Sequence, residues 1–347
     1  MKRVFLLFWF LICQFCCLAD GAGVNVYTRG EVTYVYDPIH RLTAIHTSDG
    51  KTIQYAYDYN SNLTEVSDSH GTTSYSYDAL NRLIKAQFPG KISVAYEYDP
   101  ANRLTKMTYP GQEEVKYAYD NRGRLIQVAD IAGTTRYEYD DATNLVVKEH
   151  LANGIVTEYS YDDFARVAGV AHTKSDGTLI AEYRFSYNNN SHCVSAQEIT
   201  SSGTKSIDYS YDKLNRLIEA SDSDGCFEKY VYDGAGNCLA KTTQNGSVTY
   251  EYDGHNRLLR AGDTHFFYDA SGNLVKKVCQ GKEELFDYDG VGRLVFYKNG
   301  KDQVTFVYDG EGRRVSKTVN GKKISFINDP VAPLSRVLLE QDENGKT

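Results

Sequence analysis

The chain has 347 residues, beyond the roughly 250–300 at which a single compact core stops growing. With 24% charged and 41% hydrophobic residues it is neither a disordered chain nor a polytopic membrane protein, and a net charge of −8 disfavours nucleic acid as a partner. Tyrosine supplies 29 of the aromatic residues, against 14 Phe and 1 Trp, so something repetitive uses it as a building unit.

At the N-terminus, Lys2 and Arg3 precede an apolar run from Val4 to Ile12 that extends through Phe15, Cys16, Cys17, Leu18 and Ala19. A charged start and a short apolar stretch are the pattern of a secretory signal. The stretch falls short of the roughly 20 residues of a spanning helix, so residues 1–19 are expected to be cleaved after Ala19 rather than kept as an anchor. Lipidation at Cys13, Cys16 or Cys17 is disfavoured, because Ile12, Phe15 and Cys16, none of them small, precede those cysteines. Residues 20–26 read as a short leader. Export leaves Cys193, Cys226, Cys238 and Cys279, an even number in a route that permits disulfides, at spacings that fit no zinc pattern.

From 27 to 327 one unit recurs: aromatic-x-Tyr-Asp-x-x-x-Arg-Leu. Its Asp slot falls at Asp37, Asp58, Asp78, Asp99, Asp120, Asp140, Asp162, Asn188, Asp212, Asp233, Asp253, Asp269, Asp289 and Asp309, fourteen copies spaced mostly 20 or 21 residues apart. Aromatics two residues apart share one face of a strand, as in Val115-Lys116-Tyr117-Ala118-Tyr119, so the segment entering each Asp is a strand. Asp is a favoured first turn residue because its carboxylate accepts nearby backbone N–H groups. Three residues on, nine copies have Asn or Gly, where a bulged hairpin turn needs a left-handed residue. The next slot is Arg in nine copies and Asn in four, followed by the Leu that starts the return strand. Arg then faces Asp across the hairpin neck, as Arg82 faces Asp78, in an exposed pair worth about 0–1 kcal/mol that sets register more than stability.

A second turn follows each return strand, marked by Asp49-Gly50, Pro89-Gly90, Asp176-Gly177, Asp224-Gly225, Asn245-Gly246, Asn299-Gly300 and Asn320-Gly321. Two strands and two turns per repeat give an antiparallel meander of about 28 strands. At roughly 4.8 Å per strand this is far wider than an open twisted sheet tolerates, so it must curl. The long intervals between Thr173 and Thr204 predict longer loops, and the 16-residue interval ending at Asp269 predicts shortened strands.

The pattern, at its fullest in Tyr77-Asp78-Ala79-Leu80-Asn81-Arg82-Leu83 and Tyr211-Asp212-Lys213-Leu214-Asn215-Arg216-Leu217, resembles the YD repeats of bacterial Rhs (rearrangement hotspot) proteins, of insecticidal toxin complexes and of teneurins. The likeness covers roughly residues 27 to 320. It implies an all-β fold, a long antiparallel meander of YD-repeat hairpins curling into a shell or barrel-like wall, often around a C-terminal toxin. Residues 328–347 are similar to the stretch where the Rhs core continues. The chain departs from the family there, ending at Thr347 without the terminal core motif, self-cleavage site or effector domain, which points to a truncated or split shell.

The residues that carry chemistry elsewhere give no site here: no metalloprotease, phosphate-loop, dinucleotide or nucleophile-elbow motif occurs. The carboxylate recurs at the same slot in thirteen of the fourteen copies, whereas catalysis needs one singular constellation. His40 and His192 occupy ordinary repeat slots. A calcium loop at Asp222-Ser223-Asp224-Gly225 fails, because Ala220 and Val231 would hold its first and twelfth ligand positions. Cys193 and Cys238 stand in the leucine slot and read as small buried residues, while Cys226 and Cys279 lie off it and leave open a disulfide through either. No catalytic, cofactor-binding or metal residue is therefore assigned. The expected function is a non-enzymatic exported shell component that encapsulates or presents another polypeptide, a separately encoded C-terminal piece or toxin cargo, at the cell envelope. The rival is a surface adhesin or carbohydrate-binding module using the tyrosine-rich face, by multivalent weak contacts.

Overall fold

The computed structural model of the protein describes residues 17–20, 24–29, 32–47, 49–111, 113–332 and 336–346. The secretory signal expected at 1–19 lies, up to residue 16, outside the described residues. Among those described, thirty strands run from Val32–Tyr36 to Val337–Asp342, preceded by the pair Cys17–Asp20 and Val24–Arg29. One 3-10 turn at Pro89–Lys91 interrupts them. Strands pair antiparallel with their neighbours in sequence, as in Thr52–Tyr57 with Leu63–Asp68 and Gly203–Tyr211 with Leu217–Asp222, so the all-β meander expected from the repeat is the fold. No helix among the described residues is long and apolar enough to cross a membrane.

The period is absorbed differently from expectation. The long intervals keep tight turns and lengthen the strands instead: Leu179–Tyr187, Cys193–Thr200 and Gly203–Tyr211 have 9, 8 and 9 residues. Extending a ladder pairs every added N–H and C=O, which a longer loop would leave to solvent. The 16-residue interval does shorten its strands, to Leu258–Ala261 and Thr264–Tyr268. The glycine-marked turns also differ in form. Asn320-Gly321 forms a two-residue loop with both residues at positive φ, between the paired Val319 and Lys322. Asp224-Gly225 instead lies in a longer turn, where the Asp222 N–H donates to the Cys226 carbonyl at 2.9 Å.

Two compact units result, one of Met1–Ser93 with Phe286–Thr347 and one of Val94–Leu285. In the first, Ile53, Val66, Tyr75 and Phe88 from the early strands and Ser316, Phe326 and Asn328 from the late ones are buried. In the second, Val94, Tyr96 and Met107 are almost solvent-free, but beyond Val115 the buried side chains thin out to Thr157 and Ala181. Most residues of that stretch are half-buried or exposed, as in a sheet of one layer.

Candidate functional site: the repeat neck and the tyrosine face

Each repeat closes on the same neck. The Asp N–H donates to the carbonyl four residues on, and the N–H three residues on donates to the Asp carbonyl, as for Asp78 with Arg82 and Asn81, both at 3.0 Å. One carboxylate oxygen accepts the N–H groups of residues two and four ahead, Leu80 and Arg82. The other accepts Nε of the arginine, at 2.6–2.8 Å in all nine arginine copies. Where the slot is Asn, as at Asn62, Asn237 and Asn273, its Nδ2 makes the same bond. A bulge follows, and Tyr77 opposes Leu83 after the register shift.

The left-handed residue occurs in every copy, including those where Asn and Gly are absent: His40, Ser61, Ala165 and Ser191 have φ of 61–66°. The Asp140 copy carries one extra residue, so Asn144, read from sequence in the arginine slot, is the left-handed residue instead, with φ 58°. There the Asp140 N–H reaches the carbonyl of Leu145.

The arginine does more than pair with its aspartate. In five copies its Nη1 donates to the carbonyl of the next repeat's Asp slot, for example Arg216 to Asp233 at 2.8 Å. Its guanidinium also lies 4.6–5.3 Å from the centroid of the next repeat's second tyrosine, as Arg124 does over Tyr139 and Arg166 over Tyr187. That tyrosine in turn donates its hydroxyl backward to the first residue of the preceding return strand: Tyr57 to Leu42, Tyr161 to Val146, Tyr308 to Leu294, at 2.7–2.9 Å. The pair expected to be exposed is therefore half-buried, with Arg124 and Asp120 at 18% and 16% exposure, and it links adjacent repeats. In those seven copies the second tyrosine of the motif packs under a guanidinium. His192, in the arginine slot, keeps the stacking alone, 4.9 Å from Tyr211, and its buried Nδ1 has no hydrogen-bond partner.

Several necks lower the pKa of their carboxylate. The N–H of Arg257 and then its side chain, against the opposing effect of burial, lower Asp253 from 3.8 to about 2. Asp78, Asp99 and Asp212 are lowered for the same first cause, the backbone N–H of the arginine.

Part of the neck also recurs 20 residues beyond Asp309, in the segment set apart from sequence as 328–347, with the closing carbonyl seven residues on rather than four. The Asp329 N–H donates to the Arg336 carbonyl at 2.8 Å and its carboxylate accepts the N–H of Val331. Asn328 stands for the tyrosine, its Nδ2 reaching the Arg314 carbonyl at 3.0 Å, and both Asn328 and Asp329 are buried. The signal in the sequence was the unbroken interval, Asp329 in the Asp slot and Phe326 two residues before Asn328; the loss of the tyrosine hid it.

In the first unit the tyrosine face is occupied. The turn tip at Asp309–Arg313 lies on strands Thr52–Tyr57, Leu63–Asp68 and Gly71–Tyr77. The Tyr55 hydroxyl donates to the Gly310 carbonyl at 2.8 Å, the Tyr75 hydroxyl donates to the Glu311 carboxylate, and Arg313 reaches the Tyr75 oxygen at 2.9 Å. Gly310 has an ordinary backbone conformation, yet a Cβ there would stand 2.5 Å from Val66 and 2.7 Å from Ile53, so only glycine fits. Burial pushes the Tyr55 hydroxyl up to about 12, with the Glu311 charge adding to it, and raises Tyr75 further. A cavity of about 370 Å³ opens beside this seat, walled by Val66, Phe88 and Phe326 and edged by Asp68, Glu311 and Lys323. Nothing in the sequence marked this meeting, since its partners lie more than 230 positions apart.

Among the described residues no cluster of three His, Cys, Asp or Glu side chains could hold a metal ion. The four cysteines are free, Cys226 exposed and the others half-buried. Cys193 and Cys238 each direct Sγ to a backbone carbonyl two residues on.

Fold and site define an all-β repeat protein whose bulged hairpins are stitched to one another by arginine and tyrosine. The family model described as Teneurin YD-shell matches residues 23–175 and 160–333, and the chain belongs to that family. Among solved structures the fold is similar to TcdB2-TccC3-TEV, at 13% identity and TM-score 0.57, covering 93% of this chain and 22% of the other. It is similar also to the Photorhabdus luminescens Tc holotoxin pore carrying a TccC3 mutation, at 14% identity and TM-score 0.53, covering 92% and 23%. TcdB2-TccC3 without its hypervariable C-terminal region gives 13% identity, TM-score 0.58, and 90% and 22% coverage. The chain thus spans about a fifth of the length of these structures. No curated protein matches it.

Proposed function

We propose that the chain is an exported, non-enzymatic wall component that encloses or presents another polypeptide at the cell envelope. One observation carries this: the tyrosine face holds a polypeptide turn in the first unit, with Tyr55 on the Gly310 carbonyl and Tyr75 on the Glu311 carboxylate. Carbonyls and carboxylates are groups any polypeptide offers, so a repeated tyrosine face has the donors to engage one. Membership in the YD-shell family supports the wall, and the naming of TcdB2 together with TccC3 in the similar structures is in keeping with a wall that engages another polypeptide. The organisation that goes with this reading is a cleaved signal at 1–19, a leader at 20–26, repeats over 27–327 and a core-like segment over 328–347.

The test is co-expression with the polypeptide encoded immediately downstream. Co-elution, protection of that polypeptide from protease, and micrographs showing a curved wall are expected; equal cleavage of the partner with and without the chain overturns the reading. The rival use of the face, stacking on sugar rings, would fall mainly to the first tyrosine of each motif, because guanidinium groups cover many of the second rings.

A further inference from the structure

The occupied seat in the first unit has an unoccupied equivalent in the second. The seat under Gly310 consists of Ile53, five residues before the Asp slot, Tyr55, three before it, and Val66, directly opposite Tyr55 across the strand pair. In the Asp212 copy the same places hold Ile207, Tyr209 and Ala220, with Tyr209 directly opposite Ala220. There they line an open groove of about 450 Å³ with Phe227 and Cys226. Ile53 is 6% exposed under its covering tip, whereas Ile207 is 38% exposed. The Tyr209 hydroxyl, whose counterpart Tyr55 donates to the Gly310 carbonyl, has no hydrogen-bond partner among the described residues.

A second observation supplies the other half. Gly234 and Gly254 occupy the turn position that Gly310 holds, immediately after Asp233 and Asp253. Both have ordinary backbone conformations, and nothing lies within 4 Å of the Cβ either would carry. Neither φ nor packing within the chain requires glycine at these two tips. At Gly310 the requirement comes entirely from docking against an Ile-Tyr-Val seat.

We infer that two copies of this chain associate by seating the Asp233-Gly234 or Asp253-Gly254 turn of one on the Ile207-Tyr209-Ala220 groove of the other. Tyr209 donates to the carbonyl of the incoming glycine as Tyr55 does within the chain, and Ala220 in place of Val66 leaves extra room for the tip. Both partners' turns and grooves are present on every copy, so the contact can be made reciprocally and close as a dimer. This goes beyond the wall function proposed above and fails independently of it: a monomer could still enclose a cargo, and a dimer could form without one.

Sedimentation of the full chain over a dilution series tests this, with the alkylation rate of Cys226 as a second readout because that thiol lines the groove. The wild-type chain is expected to shift from dimer to monomer on dilution, and Cys226 to react more slowly at the high-concentration end. A double variant G234V/G254V, bulky at the tips, and Ala220→Arg, bulky and charged in the groove, should each raise the dissociation constant at least tenfold with unchanged circular dichroism. Mixing the two variants should recover part of the association, since each retains what the other lacks. If either variant misfolds, Tyr209→Phe, which removes only the hydroxyl, should weaken association by about five- to a hundredfold, the loss of one hydrogen bond in each of the two reciprocal contacts. A wild-type chain monomeric at about 100 μM, or dimers that persist in both the tip and the groove variants, overturns the inference.

Discussion

The recurring aspartate is a hub for one turn. It spends one oxygen on two backbone N–H groups and the other on a side chain, so each neck is satisfied whether Arg or Asn follows. Where the neck lowers its carboxyl, as at Asp253, Asp78 and Asp99, the fold is acid-sensitive in a defined direction. A group whose folded pKa lies below its unfolded value contributes stability above the unfolded value, and that contribution is lost as pH falls through the folded one. The urea midpoint should therefore be level above the ordinary Asp range and fall as pH drops from 3.8 towards about 2, with Asp253→Asn flattening part of the slope. The left-handed residue of each neck is the second residue-scale constraint. Ala165, at φ 61°, pays a steric penalty that glycine does not, so Ala165→Gly should raise the urea midpoint by an amount worth about 0.5–1 kcal/mol.

Between elements, stability is passed from repeat to repeat in both directions along the chain. Arginine reaches forward to the next tyrosine ring and carbonyl, and tyrosine reaches backward to the previous return strand. Tyr161→Phe leaves the Val146 carbonyl without its donor and should cost about 1 kcal/mol in an unfolding titration. Arg216→Ala removes the Asp212 pair, the Asp233 carbonyl bond and the Tyr232 stack together. It should lower the midpoint more than Lys205→Ala, whose pair with Asp224 is 71% and 59% exposed. Arg216→Lys should resemble the alanine variant, because an ammonium cannot make the fork and the stack at once. Such nearest-neighbour links let a chain of this length do without one central core.

At the scale of the molecule the decisive contact is between strands near the two ends of the sequence. The turn tip at Gly310 covers Ile53 and Val66, and the wall gains there a second layer that most of Val94–Leu285 lacks. Gly310→Ala should cost about 1–3 kcal/mol by overpacking and should loosen hydrogen-exchange protection in Thr52–Tyr57 and Leu63–Asp68. Gly234→Ala, at the equivalent turn position with free space around it, should leave unfolding unchanged or slightly delayed. Equal losses from the two substitutions would remove the distinction between a seated and a free tip.

The sequence by itself determined the strand, the turn and the bulge, because these rest on neighbours within about five residues and the period writes them out fourteen times. It identified the left-handed slot from Asn and Gly, and the structure extends that slot to His40, Ser61, Ala165 and Ser191, whose residue types conceal it. It did not show that Arg216 reaches Tyr232, since a hairpin pattern describes pairing within a repeat and the stitching runs between repeats. Least legible was the seat of Gly310. Which face is covered, and by what, depends on contacts between residues more than 230 positions apart, and no local propensity encodes such a meeting; only the tertiary structure decides it.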